Sequence, residues 1–267
     1  MTYGFIGTGN MGGALARAAA KTVEVRSCIY LANRTPEKAD RLADEIGASV
    51  TDNQTIAREC DYILLGVKPQ MMAEMLSEIA PVLRRRTTPF VLLSMAASLT
   101  IARIREMAGG DYPVIRIMPN TAVEVGEGVT MYCCSDNVTA VQREGFVSLL
   151  CCSGMLEELD ESLIDAGSAV AGCGGAFACL FMEALADGAV YAGLPRQKAQ
   201  RYAAQMLLGT AKLALEGGGH TAAMKDAICS PGGTTIAGVR TLEQRGFRAA
   251  AMDAVIAAYE RTKALQS

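Results

Sequence analysis

The chain has 267 residues, 25 basic and 28 acidic, with a net charge of −3. A hydrophobic fraction of 51% against 20% charged excludes a disordered chain and leaves room for one large domain or two smaller ones. The longest basic run, Arg84-Arg85-Arg86, reads as a solvated helix end, which argues against a nucleic-acid partner.

The chain opens on Tyr3-Gly4-Phe5-Ile6-Gly7-Thr8-Gly9-Asn10-Met11-Gly12-Gly13. A short apolar strand runs into G-x-G-x-x-G, and Ala14, Leu15 and Ala18 continue at helical spacing. Gly7 permits a tight turn, Gly9 leaves the backbone open to a pyrophosphate, and Gly12 lets the helix pack closely on its strand. The helix start then offers N–H groups and partial positive charge to phosphate. The same residues stand where a secretory leader would carry a basic start and cleavage site.

A second buried strand, Cys28 to Ala32, ends at Asn33-Arg34-Thr35-Pro36. An NAD-binding unit would place an acid there against the ribose 2′-hydroxyl. Asn33 and Arg34 stand there instead, and a guanidinium suits a phosphate, so the pattern points to NADP(H) over NAD(H). Taken alone, Arg34 is equally an ordinary surface arginine. Thr35-Pro36-Glu37 predicts a helix start with a hydroxyl N-cap. The alternation goes on through Ser49-Val50, a short helix capped at Asp52-Asn53, and the strand Tyr62–Val67 ending at Lys68-Pro69-Gln70. Strands at Phe90–Ser94 and Val114–Met118 follow, the latter ending at Pro119-Asn120-Thr121. The last strands are Val129–Cys133 and Met155–Leu159, flanking a helix over Thr139–Leu150. Strands alternating with helices indicate a doubly wound, mostly parallel sheet, whose ligands bind beyond the carboxyl ends of the strands. Lys68, Ser94, Ala96, Ala97 and Asn120 are therefore expected on one rim beside the glycine turn.

Past Asp160 strand signals largely cease. Ala166–Met182 carries no charge and approaches the length of a membrane span, about 17–25 residues. Four glycines within it, and Glu183 and Asp187 directly after it, favour burial in a helical domain or a subunit interface over a membrane. Pro195 opens a helix to about Glu216, stopped by Gly217-Gly218-Gly219. His220 is expected solvated in a glycine-rich loop, without a catalytic role, and a last helix spans Phe247–Ala264. The nine cysteines include two adjacent pairs, and the single histidine leaves no zinc-type spacing. They read as buried thiols of a reducing cytoplasm, with no metal.

Ser230-Pro231-Gly232-Gly233-Thr234-Thr235-Ile236-Ala237-Gly238 differs from its surroundings: proline and glycines shape a loop, and two threonines open a helix. This is a second helix start fit for an anion, although locally it reads as well as a capped helix end. The stretch resembles the signature of pyrroline-5-carboxylate reductases. The resemblance extends over nearly the whole chain, through Gly7–Met11, Asn33–Lys38, Val67–Gln70, Arg116–Thr121, Glu183–Gly188, Gly193–Arg196 and Leu242–Arg248.

The resemblance implies a Rossmann-type α/β domain over 1–159 and an all-helical dimerisation and substrate domain over 160–267. It implies NADPH-dependent reduction of 1-pyrroline-5-carboxylate to L-proline, with NADH as the alternative cofactor. Gly7, Thr8, Gly9, Asn10 and Met11 would hold the pyrophosphate, Asn33 and Arg34 the 2′-phosphate, and Asn53 the adenosine ribose. Val67, Lys68, Pro69, Met95, Ala96, Ala97 and Asn120 would line the cofactor's other half. Ser230, Gly232, Gly233, Thr234, Thr235 and Cys173 would meet the substrate, with Thr235 as the hydroxyl donor near its ring nitrogen. The assembly implied is a homodimer, and beyond it a decamer, with no nucleic-acid or membrane partner. The active site would combine one subunit's nicotinamide with substrate contacts from both.

The chain departs from the family pattern at Ala171-Gly172-Cys173-Gly174-Gly175-Ala176-Phe177, where S-G-S-G-P-A-Y is usual, and at Ala122, where proline is usual. Reduction of a different cyclic imine, or cofactor binding by a regulatory paralogue without turnover, stand as alternatives.

Overall fold

The computed structural model describes residues 1–217 and 219–265. The chain forms two compact units: Met1–Gly172 together with the stretch from Tyr259 onward, and Cys173–Ala258.

In the first unit, β1 (Tyr3–Ile6), α1 (Asn10–Thr22), β2 (Ile29–Ala32), α2 (Pro36–Ile46) and β3 (Ser49–Val50) form one half of a doubly wound sheet. The other half is α3 (Asn53–Glu59), β4 (Tyr62–Leu65), α4 (Pro69–Arg85), β5 (Val91–Ser94), α5 (Ile101–Ala108) and β6 (Val114–Pro119). β7 (Gly128–Cys134), α6 (Ala140–Leu150), β8 (Gly154–Glu158) and α7 (Ile164–Ala171) complete it. The eight strands lie in the order β3-β2-β1-β4-β5-β6-β7-β8. Neighbours are parallel except β6 and β7, which are antiparallel.

Strand alternation builds two cores, one on each face of the sheet. Phe5, Leu31, Tyr62, Leu64, Leu93, Ile115 and Ile117 face α1, α2 and α6, where Leu15, Leu42 and Phe146 meet them. Ile6, Ile63, Leu65, Leu92 and Val114 face the other way, onto Met72, Leu76, Ile79 and Ile104. Each such side chain contributes about 1.5–3 kcal/mol when fully buried. Arg116, between Ile115 and Ile117, shares the second face and is 2% exposed.

Register aligns the carboxyl ends that matter. Ile6 pairs with Ala32 and Leu65, and Leu65 with Ser94. The residues that follow, Gly7, Asn33, Gly66 and Met95, therefore leave the sheet side by side. Ser94 pairs with Arg116, so β6 runs on to Pro119 beyond the others.

The second unit holds α8 (Gly174–Tyr191), α9 (Arg196–Gly217), α10 (Thr221–Ile228), α11 (Thr234–Gln244) and most of α12 (Phe247–Ala264). Among its described residues only Ala186, Ala199 and Ala203 are buried in the single chain. Within the apolar run the helical hydrogen-bond pattern is interrupted at Gly172 and Cys173: α7 ends at Ala171 and α8 starts at Gly174. By length and composition alone, Glu161–Tyr191 would suffice to cross a membrane.

Two local expectations need correction. Thr35 precedes Pro36 as expected, but its hydroxyl caps nothing, and the Lys38 N–H bonds the Thr35 carbonyl at 3.1 Å instead. His220 is exposed, as expected, but it stands at the start of α10, a helix the sequence reading missed, and its Nδ1 accepts the Ala222 N–H at 3.1 Å. An imidazole nitrogen thus does the work of the usual Ser or Asp cap, so no ordinary start signal marked the helix. Of the triple glycine, Gly217 ends α9 and Gly218 lies outside the described residues.

Candidate active site

Two helix beginnings have the features of an anion cradle, one in each unit. In the first, Gly7 adopts φ +96°, and a Cβ there would stand 2.7 Å from the Gly66 carbonyl carbon and oxygen. Only glycine tolerates both that φ and that approach. The strands are drawn together by Gly7 N–H bonding Ala32 O and Gly66 N–H bonding Ile6 O, each at 2.7 Å. A Cβ on Gly12 would overlap the Gly7 carbonyl oxygen, so the third glycine seats α1 against the turn. Around Gly9 the space is open: a Cβ would meet nothing within 4 Å.

Gly9 is the N-cap of α1, no side chain caps the helix, and its first turn carries no acid. Its leading N–H groups are free of capping side chains and face the gap at Gly9. Thr8 donates its N–H to Asn33 Oδ1 at 3.0 Å, and Asn33 Nδ2 donates to the Thr35 carbonyl at 2.9 Å. Asn33 thus braces the two turns against each other. The Thr8 hydroxyl is buried and has no partner. An uncapped helix start, an open cradle and an unpartnered hydroxyl together fit a dinucleotide diphosphate.

The remaining rim residues are placed as follows. Arg34 is exposed beside Asn33, with Nη1 3.9 Å from Met71 Sδ. Asn53, the first residue of α3, donates to Glu78 Oε2 at 2.9 Å. Lys68 is the exposed N-cap of α4, with Pro69 in its first turn and Val67 half-buried behind it. The Met95 methyl comes 3.9 Å from where a Gly12 Cβ would lie, so this side chain backs the glycine turn. Ala96 is buried and Ala97 exposed, and Ser98 just beyond has φ +67°, left-handed for a non-glycine residue. Asn120 has both ends of its amide engaged: Oδ1 accepts the Val129 N–H at 3.1 Å and Nδ2 donates to the Ala171 carbonyl at 3.0 Å.

The second helix start is that of α11. Gly232 has φ +68°, and Gly233 donates its N–H to the Ser230 carbonyl at 3.0 Å. A Cβ on Gly233 would overlap the Ser230 hydroxyl. Gly233 is the N-cap, no side chain caps the helix, and no acid lies in its first turn. Thr234 and Thr235 are therefore the first two helical residues, both exposed, and neither hydroxyl serves as the cap. This removes the local alternative of a threonine-capped start and leaves the N–H groups open to an anion. Cys173 precedes α8 and is half-buried, and the space around Gly174 and Gly175 is open.

The expectation of buried thiols holds only in part: Cys151 and Cys179 are exposed and just Cys60 and Cys133 are fully buried. Most of the others lie on helix faces and at element ends that the single chain leaves uncovered. Where burial does act, it sets the thiol chemistry. It pushes Cys60 and Cys133 up to about 12 and Cys134 to about 11. These are inert small hydrophobes. Among the described residues, no group of three or more His, Cys, Asp or Glu side chains could hold a metal ion.

One charged cluster went unnoticed in the sequence. Arg116 reaches Asp165 at 3.1 Å and Glu161 at 3.3 Å, and Lys263 stands 3.7 Å from Asp165. An arginine inside the apolar strand 114–118 was its signal, since a buried charge demands a partner.

Comparison with known proteins identifies the family. The family model for pyrroline-5-carboxylate reductase dimerisation matches residues 161–265, and that for NADP oxidoreductase, coenzyme F420-dependent, matches residues 2–98. The chain is 37% identical to the pyrroline-5-carboxylate reductase of Escherichia coli over 98% of its own length and 97% of the relative's. The fold is similar to the pyrroline-5-carboxylate reductase of Coxiella burnetii (TM-score 0.92, 29% identity, 100% and 98% of the two chains covered). It is similar as well to the pyrroline carboxylate reductase of Plasmodium falciparum with NADP bound (TM-score 0.86, 31% identity, 100% and 98% covered). The chain therefore belongs to the pyrroline-5-carboxylate reductase family.

Proposed function

We propose that the chain reduces 1-pyrroline-5-carboxylate to L-proline with NADPH, the last step of proline biosynthesis. The observation that carries this is the α11 start, whose N–H groups no side chain caps, in a chain that also holds an open dinucleotide turn. Gly7–Met11 would hold the diphosphate, Asn33 and Arg34 the 2′-phosphate, and Asn53 the adenosine ribose. Val67–Pro69 and Met95–Ala97 line the nicotinamide side, and Asn120 contributes by bracing the rim.

NADPH bound in this turn supplies the hydride that goes to the imine carbon. The protein contributes position and electrostatics. Ser230, Gly232 and Thr234 present backbone N–H groups and hydroxyls to the substrate carboxylate, which also screens the helix dipole, while Gly233, its N–H held by the Ser230 carbonyl, shapes the loop beside it. The Thr235 hydroxyl orients the ring nitrogen. That nitrogen must carry a proton for the carbon to accept hydride, and the C=N bond becomes CH–NH. A hydroxyl is a poor lone acid, so the substrate enters protonated or water completes the transfer. Cys173 borders the substrate at the start of α8.

The helical unit exposes Leu180, Tyr191, Met206, Leu208 and Leu213, more apolar surface than a solitary unit of this size leaves in water. A second copy covers it in our reading, giving a homodimer, and decamers form from such dimers. The same cover accounts for the apolar 161–191 stretch without a membrane. The protein works in the cytoplasm, without a nucleic-acid partner, with a cofactor domain over 1–159 and a helical dimerisation segment over 160–267, of which α7 and the end of α12 fold with the first unit.

Steady-state turnover with NADPH and NADH, against five- and six-membered cyclic imines, tests the reading. It predicts turnover of pyrroline-5-carboxylate with NADPH as the better cofactor. A clear preference for a six-membered ring would reassign the substrate, and cofactor binding without turnover would make the chain a non-catalytic paralogue.

A further inference from the structure

Arg116 lies in the middle of β6, paired in register with Cys133 and 2% exposed. Its Nη2 meets Asp165 Oδ1 at 3.1 Å and its Nη1 meets Glu161 Oε1 at 3.3 Å, while Nε has no partner. Glu161 Oε1 also accepts the Ile101 N–H at 2.8 Å, at the start of α5. Asp165 lies in the first turn of α7, and its second oxygen stands 3.7 Å from Lys263 of α12. One arginine thus gathers β6, the start of α5, the start of α7 and the last turns of α12.

This cluster is a poor device for stability alone. Burying charges costs several kcal/mol per ion, so apolar residues of similar volume often do as well or better. An unpartnered buried N–H adds to that cost. What the cluster provides is a fixed arrangement at a particular place. The chain passes from the first unit to the second after Gly172 and returns before Tyr259. Arg116 holds the helix that ends one residue before Gly172, and it reaches the returning helix through Asp165. The far end of α7 is tied to the same strand, because Asn120 Nδ2 donates to the Ala171 carbonyl at 3.0 Å. β6 therefore grips α7 at both ends, and it ends at the cofactor rim.

We propose that Arg116 is a positioning residue. Acting through Asp165 and Glu161, it stiffens the two stretches at which the first unit gives way to the second, 164–172 and 259–263, and supports turnover while touching neither cofactor nor substrate. The inference rests on the reading above, in which the cofactor turn and the carboxylate loop belong to different units. Displacing a reactant by an ångström costs up to about a hundredfold in rate, so a slack crossing is felt in turnover before it is felt in binding.

The test uses the full-length protein with Arg116→Lys, and with the apolar pair Arg116→Met/Asp165→Leu, which removes both buried charges together. The expected result for the pair is a thermal midpoint near that of the unaltered protein and NADPH affinity within about twofold, with kcat lower by about tenfold to a hundredfold. The deuterium isotope effect on kcat with 4-deuterated NADPH should rise, because hydride transfer becomes more rate-limiting. Arg116→Lys, which keeps one charge and one reach, should recover part of the loss. Hydrogen exchange at 164–172 and 259–263 should quicken in the pair while β1–β5 keep their protection. Unchanged exchange at both crossings, or unchanged kcat and isotope effect in the folded pair, would overturn the proposal. Absence of imine turnover in the unaltered protein would instead sink the reductase reading, and the exchange experiment would still decide the role of Arg116.

Discussion

In the proposed reading, the two units meet the same demand, an anion at a helix start, on opposite kinds of scaffold. The first surrounds its cradle with a finished core: Ile6, Leu65 and Ser94 behind the glycine turn are all at most 1% exposed. The second offers its cradle on helices that bury only three alanines among the described residues of the single chain. A turn that must hold a large cofactor in one pose gains from rigidity that one chain supplies. A loop proposed to meet a small imino acid, on a unit without its own core, is expected to take its stiffness from a second copy. The difference locates where mutations act: around the glycine turn they act within a chain, and around the threonine loop they act through the assembly.

Breaking the first cradle should have the largest effect. Gly12→Val places carbon atoms in the space of the Gly7 carbonyl. It should weaken NADPH binding by at least about a hundredfold, near 3 kcal/mol, measured by quenching or enhancement of the cofactor's fluorescence. Retained affinity would mean that the turn is not the diphosphate site. Breaking the second should be selective. Thr235→Ala should lower kcat by about tenfold to a hundredfold, the range for a lost hydrogen bond to a charged group, with NADPH affinity unchanged. Equal turnover would strip the hydroxyl of its role.

The smallest expected effect sharpens the contrast by touching neither cradle. Asp52 accepts the Thr55 N–H at 2.8 Å as the N-cap of α3, and that backbone bond holds its carboxyl below the usual range. Because the folded value is the lower one, its stabilisation is present above the unfolded value, near pH 4, and is lost as pH falls through the folded value. Asp52→Ala should cost about 1 kcal/mol at neutral pH in thermal or denaturant unfolding. Asp52→Asn should keep much of the cap and flatten the acid limb of the stability curve.

Much of the first unit was legible in the sequence because its signals are local. Buried parallel strands read as apolar runs, and G-x-G-x-x-G after Phe5-Ile6 marks a strand-turn-helix with one physical purpose. Helix α10 was missed because its cap is the Nδ1 of His220, and Thr35 was misread because a residue with the right hydroxyl need not use it. The Ser230–Gly238 loop was legible only by resemblance, since a glycine N-cap looks the same whether or not an anion binds. The Arg116–Asp165 contact joins residues 49 apart in sequence. The sequence displayed a charge in a strand but could not name its partner. Asn120 shows the opposite limit: its place on the rim followed from the strand order, while the engagement of its amide with Val129 and Ala171 required coordinates.

Subunit complementation tests the shared site most directly. Gly12→Val and Thr235→Ala chains, each impaired alone, are co-expressed and the mixed dimers isolated by two different tags. If one subunit's glycine turn works with the other's threonine loop, one of the two sites in each mixed dimer pairs an intact turn with an intact loop. Turnover of pyrroline-5-carboxylate should then return to about half that of the unaltered dimer, since one site in two is whole. Mixed dimers no more active than the two parents would contradict a site built across the subunit pair.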